Sequence, residues 1–89
     1  MPKTPKDPGS ESLAELGKRI KARRAELGIS QERLGLRVGL HWTMIGHVER
    51  GKRNVSVLNL LKIAYGLELD AGALVAGLPV PPIEEKPVW

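Results

Sequence analysis

Two glycines cut the most informative part of this chain into pieces of fixed length. Residues 30–51 read SQERLGLRVGLHWTMIGHVERG, with apolar residues at helical spacing that stop at Gly39 and again at Gly51. Ser30 is a good N-cap, because its hydroxyl can accept from an otherwise unpaired amide of the first helical turn. Leu34 and Val38 lie four apart, on one helical face. Gly39 ends that helix, since glycine enters the left-handed C-cap conformation without steric penalty. A second helix follows over residues 42–50, with Ile45 and Val48 turned inward.

Two helices across a tight glycine-containing turn describe a helix-turn-helix, the unit that places its second helix in the major groove of DNA. Many helical hairpins have a glycine turn and bind nothing, so the outward face of the second helix decides. With Ile45 and Val48 inward, helical geometry turns Thr43, Gly46, His47 and Arg50 outward, with Trp42 at the exposed leading end. A helix built only for solubility carries Glu, Lys and Gln there. This face offers a hydroxyl, an imidazole, a gap and a guanidinium, which makes it a reading surface.

Charge points the same way. The chain of 89 residues carries a net charge of +4. Residues 18–53 hold ten basic and three acidic side chains, a local net of +7, and the remainder is −3. Positive charge therefore collects around the presumed reading unit, as an electrostatic footprint for a polyanion should. The alternative is a solvated basic helix without a partner.

Composition excludes several classes. There is no cysteine, which rules out disulfides and cysteine-ligated zinc. No apolar run reaches the length of a signal peptide or a membrane span, so a soluble cytoplasmic protein is expected. The histidines are His41 and His47 alone, and no carboxylate pair shares a face with either, which speaks against an enzyme. No cofactor or metal is expected. Asn54-Val55-Ser56 matches the glycosylation pattern, but in a chain without a secretion signal it is read as chance.

Taken in order, residues 1–11 are rich in proline and polar residues and predict a flexible arm. A first helix should begin near Ser12, where Ser12 and Glu15 form a capping-box pattern. Its inward stripe runs Leu13, Leu16, Ile20, Arg24 and Leu27, and Gly28 stops it. Arg24 stands where the spacing demands an apolar residue, and Glu49, beside Val48, is equally misplaced. Two opposite charges breaking two apolar stripes are best explained as partners, a partly buried ion pair in which the arginine fork grips a carboxylate. The competing reading has both side chains reaching water independently.

After Gly51 comes a short basic loop, Lys52, Arg53 and Asn54. Ser56 caps a fourth helix, to which Val57, Leu60, Leu61, Ile63, Ala64 and Leu67 give apolar character. Asp70 caps a short fifth helix that ends at Gly77 and Pro79. The tail, residues 79–89, holds four prolines and ends in Val88 and Trp89. Apolar residues on the fifth helix and tail suggest self-association, or simply a cover for the core.

Residues 16–78 resemble the Cro/repressor type of helix-turn-helix domain, the XRE family. The resemblance rests on R-A-E-L-G-I-S-Q-E-R-L from Arg24, G-L-H-W-T-M-I-G-H-V-E-R-G-K-R-N from Gly39, and L-L-K-I-A-Y-G-L from Leu60. It implies an all-α, compact five-helix domain over residues 12–78 that binds operator DNA as a homodimer and regulates transcription. It also implies a buried Arg24–Glu49 pair. Gln31 matches a phosphate-contacting glutamine; Trp42, Thr43 and His47 match positions that reach base edges; Lys52, Arg53 and Asn54 match a loop beside the DNA backbone. The run E-R-G-K-R-N-V-S is similar to controller proteins of restriction–modification systems and to some antitoxins. An antitoxin-like module whose main role is to bind a partner protein is therefore the alternative.

Some residues depart from that pattern. Gly35, Gly46 and Gly66 lie inside helices where alanine or a polar residue is more usual, and each should weaken its helix by roughly 0.5–1 kcal/mol. Gly35 would allow closer helix approach, and Gly46 a deeper seat in the groove. Trp42 favours apolar contact with a thymine methyl or sugar edge, unless it folds back onto the protein. In this scheme Arg50, Lys52, Arg53 and Gln31 grip phosphates and set register. Thr43 and His47 discriminate bases; a neutral His47 can donate to guanine O6 or N7, or accept from adenine N6.

Overall fold

A computed structural model describes residues 9–83 and 85. Among these are five helices: α1 (Ser10–Leu27), α2 (Gln31–Val38), α3 (Trp42–Glu49), α4 (Val57–Gly66) and α5 (Ala71–Val75). Of the expected arm over residues 1–11, residues 1–8 lie outside the described residues and Ser10 and Glu11 belong to α1; the end of the tail, with Val88 and Trp89, also lies outside the described residues.

The helix boundaries follow local chemistry. The Ser30 hydroxyl accepts from the Arg33 amide at 3.0 Å, and Gly39 closes α2 in the left-handed conformation at φ 72°. Ser56 and Asp70 cap α4 and α5 through the amides of Asn59 and Gly72. The start of α1 differs from expectation. The helix begins at Ser10, behind Gly9, and has no side-chain cap. The presumed capping box does other work: the Ser12 hydroxyl donates to the Pro79 carbonyl, and Glu15 pairs with Arg19 at 3.5 Å. A serine already inside the first turn has no free amide to cap, so its hydroxyl ties α1 to the chain beyond α5.

Leu16 and Ile20 from α1, Leu34 from α2, Ile45 and Val48 from α3, Ile63, Ala64 and Leu67 near α4, and Leu74 from α5 form one core. It is wholly aliphatic. On α4 only part of the apolar sequence turns inward. Val57, Leu58, Leu61 and Tyr65 face outward as an exposed stripe.

Several glycines stand where neighbouring segments leave no room for a side chain. A Cβ on Gly17 would collide with the carbonyl oxygens of Val48 and Glu49, and one on Gly35 with the carbonyl of Leu40. Gly66 faces side chains instead, where a Cβ would come within 2.5 Å of Val38 Cγ1 and 2.8 Å of Leu34 Cδ1. Gly35 and Gly66 are therefore not weak points of their helices. The intrinsic cost of glycine is roughly 0.5–1 kcal/mol, less than the 1–3 kcal/mol typical of overpacking a close contact.

Arginine side chains fasten the helix ends. Arg19 donates to the carbonyls of Leu74 at 3.1 Å and Ala76 at 2.6 Å, Arg23 to Leu67 at 2.9 Å, and Arg37 to Gly66 at 3.0 Å. These carbonyls have lost or are losing their helical partners, and a cation near a helix C-terminus also meets the dipole favourably. We expect Gly17→Ala and Gly35→Ala each to lower the unfolding free energy by about 1–3 kcal/mol, measured by urea denaturation. A gain in stability would show that helix propensity, not helix approach, governs these positions.

Candidate nucleic-acid interface

The interface is built outward from one buried group. The Glu49 side chain is 2% exposed and that of Arg24 15%. Arg24 Nε donates to Glu49 Oε2 at 2.6 Å and Nη2 to Oε1 at 3.0 Å, the two-bond fork that carboxylate and guanidinium geometry favours. Arg24 Nη1 donates to the Ile29 carbonyl at 2.9 Å. The ion pair inferred from two broken apolar stripes is present and bidentate. Its hydrogen bond to Glu49, joined by the coulombic pull of that carboxylate, raises the Arg24 pKa above the usual arginine value, against the opposing effect of burial. A group raised in this way contributes its stability below the arginine range, for as long as its carboxylate partner is ionised, and loses it as pH climbs through that range.

Gln31 takes a place that sequence reasoning did not give it. Its Nε2 donates to Glu49 Oε1 at 3.0 Å, so the first residue of α2 holds the same carboxylate as α1. The amide still carries a second N–H, which leaves Gln31 able to meet a phosphate as well. No described buried side-chain N or O atom lacks a partner, so the polar cluster under α3 is fully satisfied.

Trp42, Thr43, His47, Arg50, Lys52, Arg53 and Asn54 are all exposed. Gly46 is not, and its expected outward position is corrected. It is buried, and a Cβ there would lie 3.2 Å from Arg50 Nη1 and 3.4 Å from Gln31 Oε1. The reason is helical: position 46 is three residues before Glu49, so burying Glu49 turns Gly46 toward α2 as well. Asn54 lines a surface depression together with Ser12, Leu13, Leu78 and Pro79.

Trp42 lies against its neighbours without being buried. It is 49% exposed, yet its ring stacks on His41, with centroids 5.8 Å apart and planes at 29°, and lines a shallow depression with Glu32, Leu36 and Leu40. His41 has a place that the sequence reading did not give it. It is the N-cap of α3, its Nδ1 accepting from the Thr43 amide at 3.2 Å. The signal was its position, directly before the reading helix, but histidine is absent from the usual N-cap residues.

These features define a class: a small all-α protein whose second and third helices form a helix-turn-helix with an exposed third helix. The Helix-turn-helix family model matches residues 20–74, and the chain belongs to that family. It is 36% identical over 64 residues to control protein C.BamHI of Bacillus amyloliquefaciens, covering 72% of this chain and 79% of that one. Among solved structures, the restriction-modification controller protein C.AhdI from Aeromonas hydrophila aligns with a TM-score of 0.68 at 42% identity, covering 70% of this chain and 94% of that one. The controller protein C.Esp1396I, solved as a tetramer in complex with its natural 35 base-pair operator, aligns with a TM-score of 0.66 at 33% identity over 71% and 83%.

Removing one partner of a buried pair strands the other charge, at a cost of about 3–5 kcal/mol. Small domains hold only about 5–15 kcal/mol in total, so Glu49→Ala should melt far below the parent protein. Arg24→Met combined with Glu49→Leu should recover much of that loss. A double-mutant cycle in denaturant reads the coupling, and a value near zero would contradict the observed geometry.

Proposed function

We propose that this chain is a sequence-specific double-stranded DNA-binding transcriptional regulator, a controller or repressor rather than an enzyme, acting as a homodimer on a two-fold related operator. The observation that carries this reading is the exposed face of α3, held at a fixed angle by the Arg24–Glu49–Gln31 cluster. The relatives support it. All three are named as control or controller proteins, and one of them, C.Esp1396I, is solved on its operator.

In this reading Arg50, Lys52 and Arg53 face phosphates, and Gln31 adds its free N–H at the start of α2. Thr43 and His47 meet base edges in the major groove, with Trp42 making apolar contact at the groove wall. A single domain this small offers limited affinity, so two copies bind half-sites about one helical turn apart. The exposed apolar stripe of α4 supports self-association. A cytoplasmic location accords with this role, and no described helix is long and apolar enough to cross a membrane.

Binding should weaken steeply with salt, because each phosphate contact releases condensed counterions. Lys52→Ala should weaken binding to all sequences alike and reduce the salt slope by about one unit. A slope near zero in the parent protein would rule out a phosphate-tracking interface.

His47→Ala should cost about 1–3 kcal/mol at the preferred site and relax preference at one base position. Selection of bound sites from random DNA supplies the readout. Equal weakening on every sequence would reassign His47 to the DNA backbone.

A further inference from the structure

Two donors converge on one lone pair at the leading end of α3. The Thr43 backbone amide points at His41 Nδ1 from 3.2 Å, and the Thr43 hydroxyl lies 2.7 Å from the same nitrogen. A backbone N–H can only donate, so Nδ1 must be the unprotonated ring nitrogen, with the ring proton on Nε2. The proton between Nδ1 and Thr43 Oγ1 then comes from the hydroxyl. Its only hydrogen is spent, and both oxygen lone pairs remain. The imidazole also stacks on Trp42, with centroids 5.8 Å apart, a contact that favours this ring orientation.

We infer that His41 is a positioning residue for base recognition, which fixes the Thr43 hydroxyl as a hydrogen-bond acceptor and so selects a base that presents an amino group in the major groove. This rests on the DNA-binding reading above and deepens it. A free threonine hydroxyl serves either role and discriminates poorly. One whose hydrogen is committed accepts only, and the major-groove donors are adenine N6 and cytosine N4. Guanine O6 and N7 and thymine O4 are acceptors, and they face an oxygen with no hydrogen to offer.

The geometry makes two independent demands. Side-chain nitrogen NMR of the full chain should show His41 as the Nε2–H tautomer; an Nδ1–H tautomer would overturn the proposal without any DNA present. Selection from random DNA supplies the second test. Thr43→Val keeps the shape and removes the hydroxyl, and should relax preference for adenine or cytosine at one position. His41→Ser can still cap the helix from its own hydroxyl but does not hold the Thr43 side chain. It should relax the same position, with affinity for the preferred site reduced roughly threefold to tenfold, the range of one hydrogen bond. The double variant should bind no worse than Thr43→Val alone. Thermal unfolding of His41→Ser checks that the helix is retained.

Preference at that position unchanged by His41→Ser, or lost equally for all sequences, would overturn the positioning role alone. A His41→Ser chain that no longer folds moves the test to Thr43→Val. There, relaxation at a position preferring guanine or thymine overturns the proposal, and relaxation at adenine or cytosine upholds it. A parent protein that enriches no sequence would overturn the DNA-binding reading, and this inference with it.

Discussion

The angle of α3 depends on a single carboxylate. An eight-residue helix is too short to persist alone, since isolated helices below about 12–15 residues are marginal in water. Its shape and direction must come from packing. Ile45 and Val48 bury one stripe, but apolar contacts are non-directional and would tolerate rotation about the helix axis. The hydrogen bonds on Glu49 are directional. Arg24 reaches it from α1 with two bonds and Gln31 from α2 with a third. Such a pair is weak evidence for stability, because desolvation offsets most of the coulombic gain. Its contribution here is orientation.

The same segment is fixed a second time, by close approach. Gly17 lies two helical turns before Arg24, on the same face of α1. Its missing side chain lets the α1 backbone reach the carbonyls of Val48 and Glu49. Glu49 is thus held by its backbone against Gly17 and by its side chain against Arg24. Movement of α3 relative to α1 would have to break both contacts together.

This explains which parts of the protein were legible in the sequence. Apolar spacing and glycine stops located the helices, because periodicity and C-caps are local properties. The Arg24–Glu49 pair was legible because each residue violated a pattern in a way that the other could answer. The glycines were only partly legible: Gly35 was read as allowing close approach, whereas Gly66 was read only as weakening its helix. A sequence shows that Gly35 and Gly66 lack a side chain, but not which atoms stand where it would be. Charge was only half legible: the basic surplus is real, yet Arg19, Arg23, Arg24 and Arg37 are spent on carbonyls and a carboxylate within the fold. Gly46 looked outward because two inward residues define a narrower stripe than the four that are buried, Ile45, Gly46, Val48 and Glu49.

Along α3, then, two sets of positions interleave. Residues 45, 46, 48 and 49 hold the frame, and 42, 43 and 47 are exposed. Surface substitutions usually change stability by less than about 0.5 kcal/mol, whereas breaking the buried set costs several times that. The exposed set can therefore vary with little effect on the fold, which is what a reading surface requires if related proteins are to recognise different sites on one scaffold. His41 stands outside this division. As the N-cap it belongs to the frame, and through the Thr43 hydroxyl it touches the reading surface. A cap made by serine or aspartate would satisfy the same backbone amide with a shorter side chain. The imidazole instead extends the cap far enough to reach the Thr43 hydroxyl, so the Thr43 amide and the Thr43 side chain meet the same ring nitrogen.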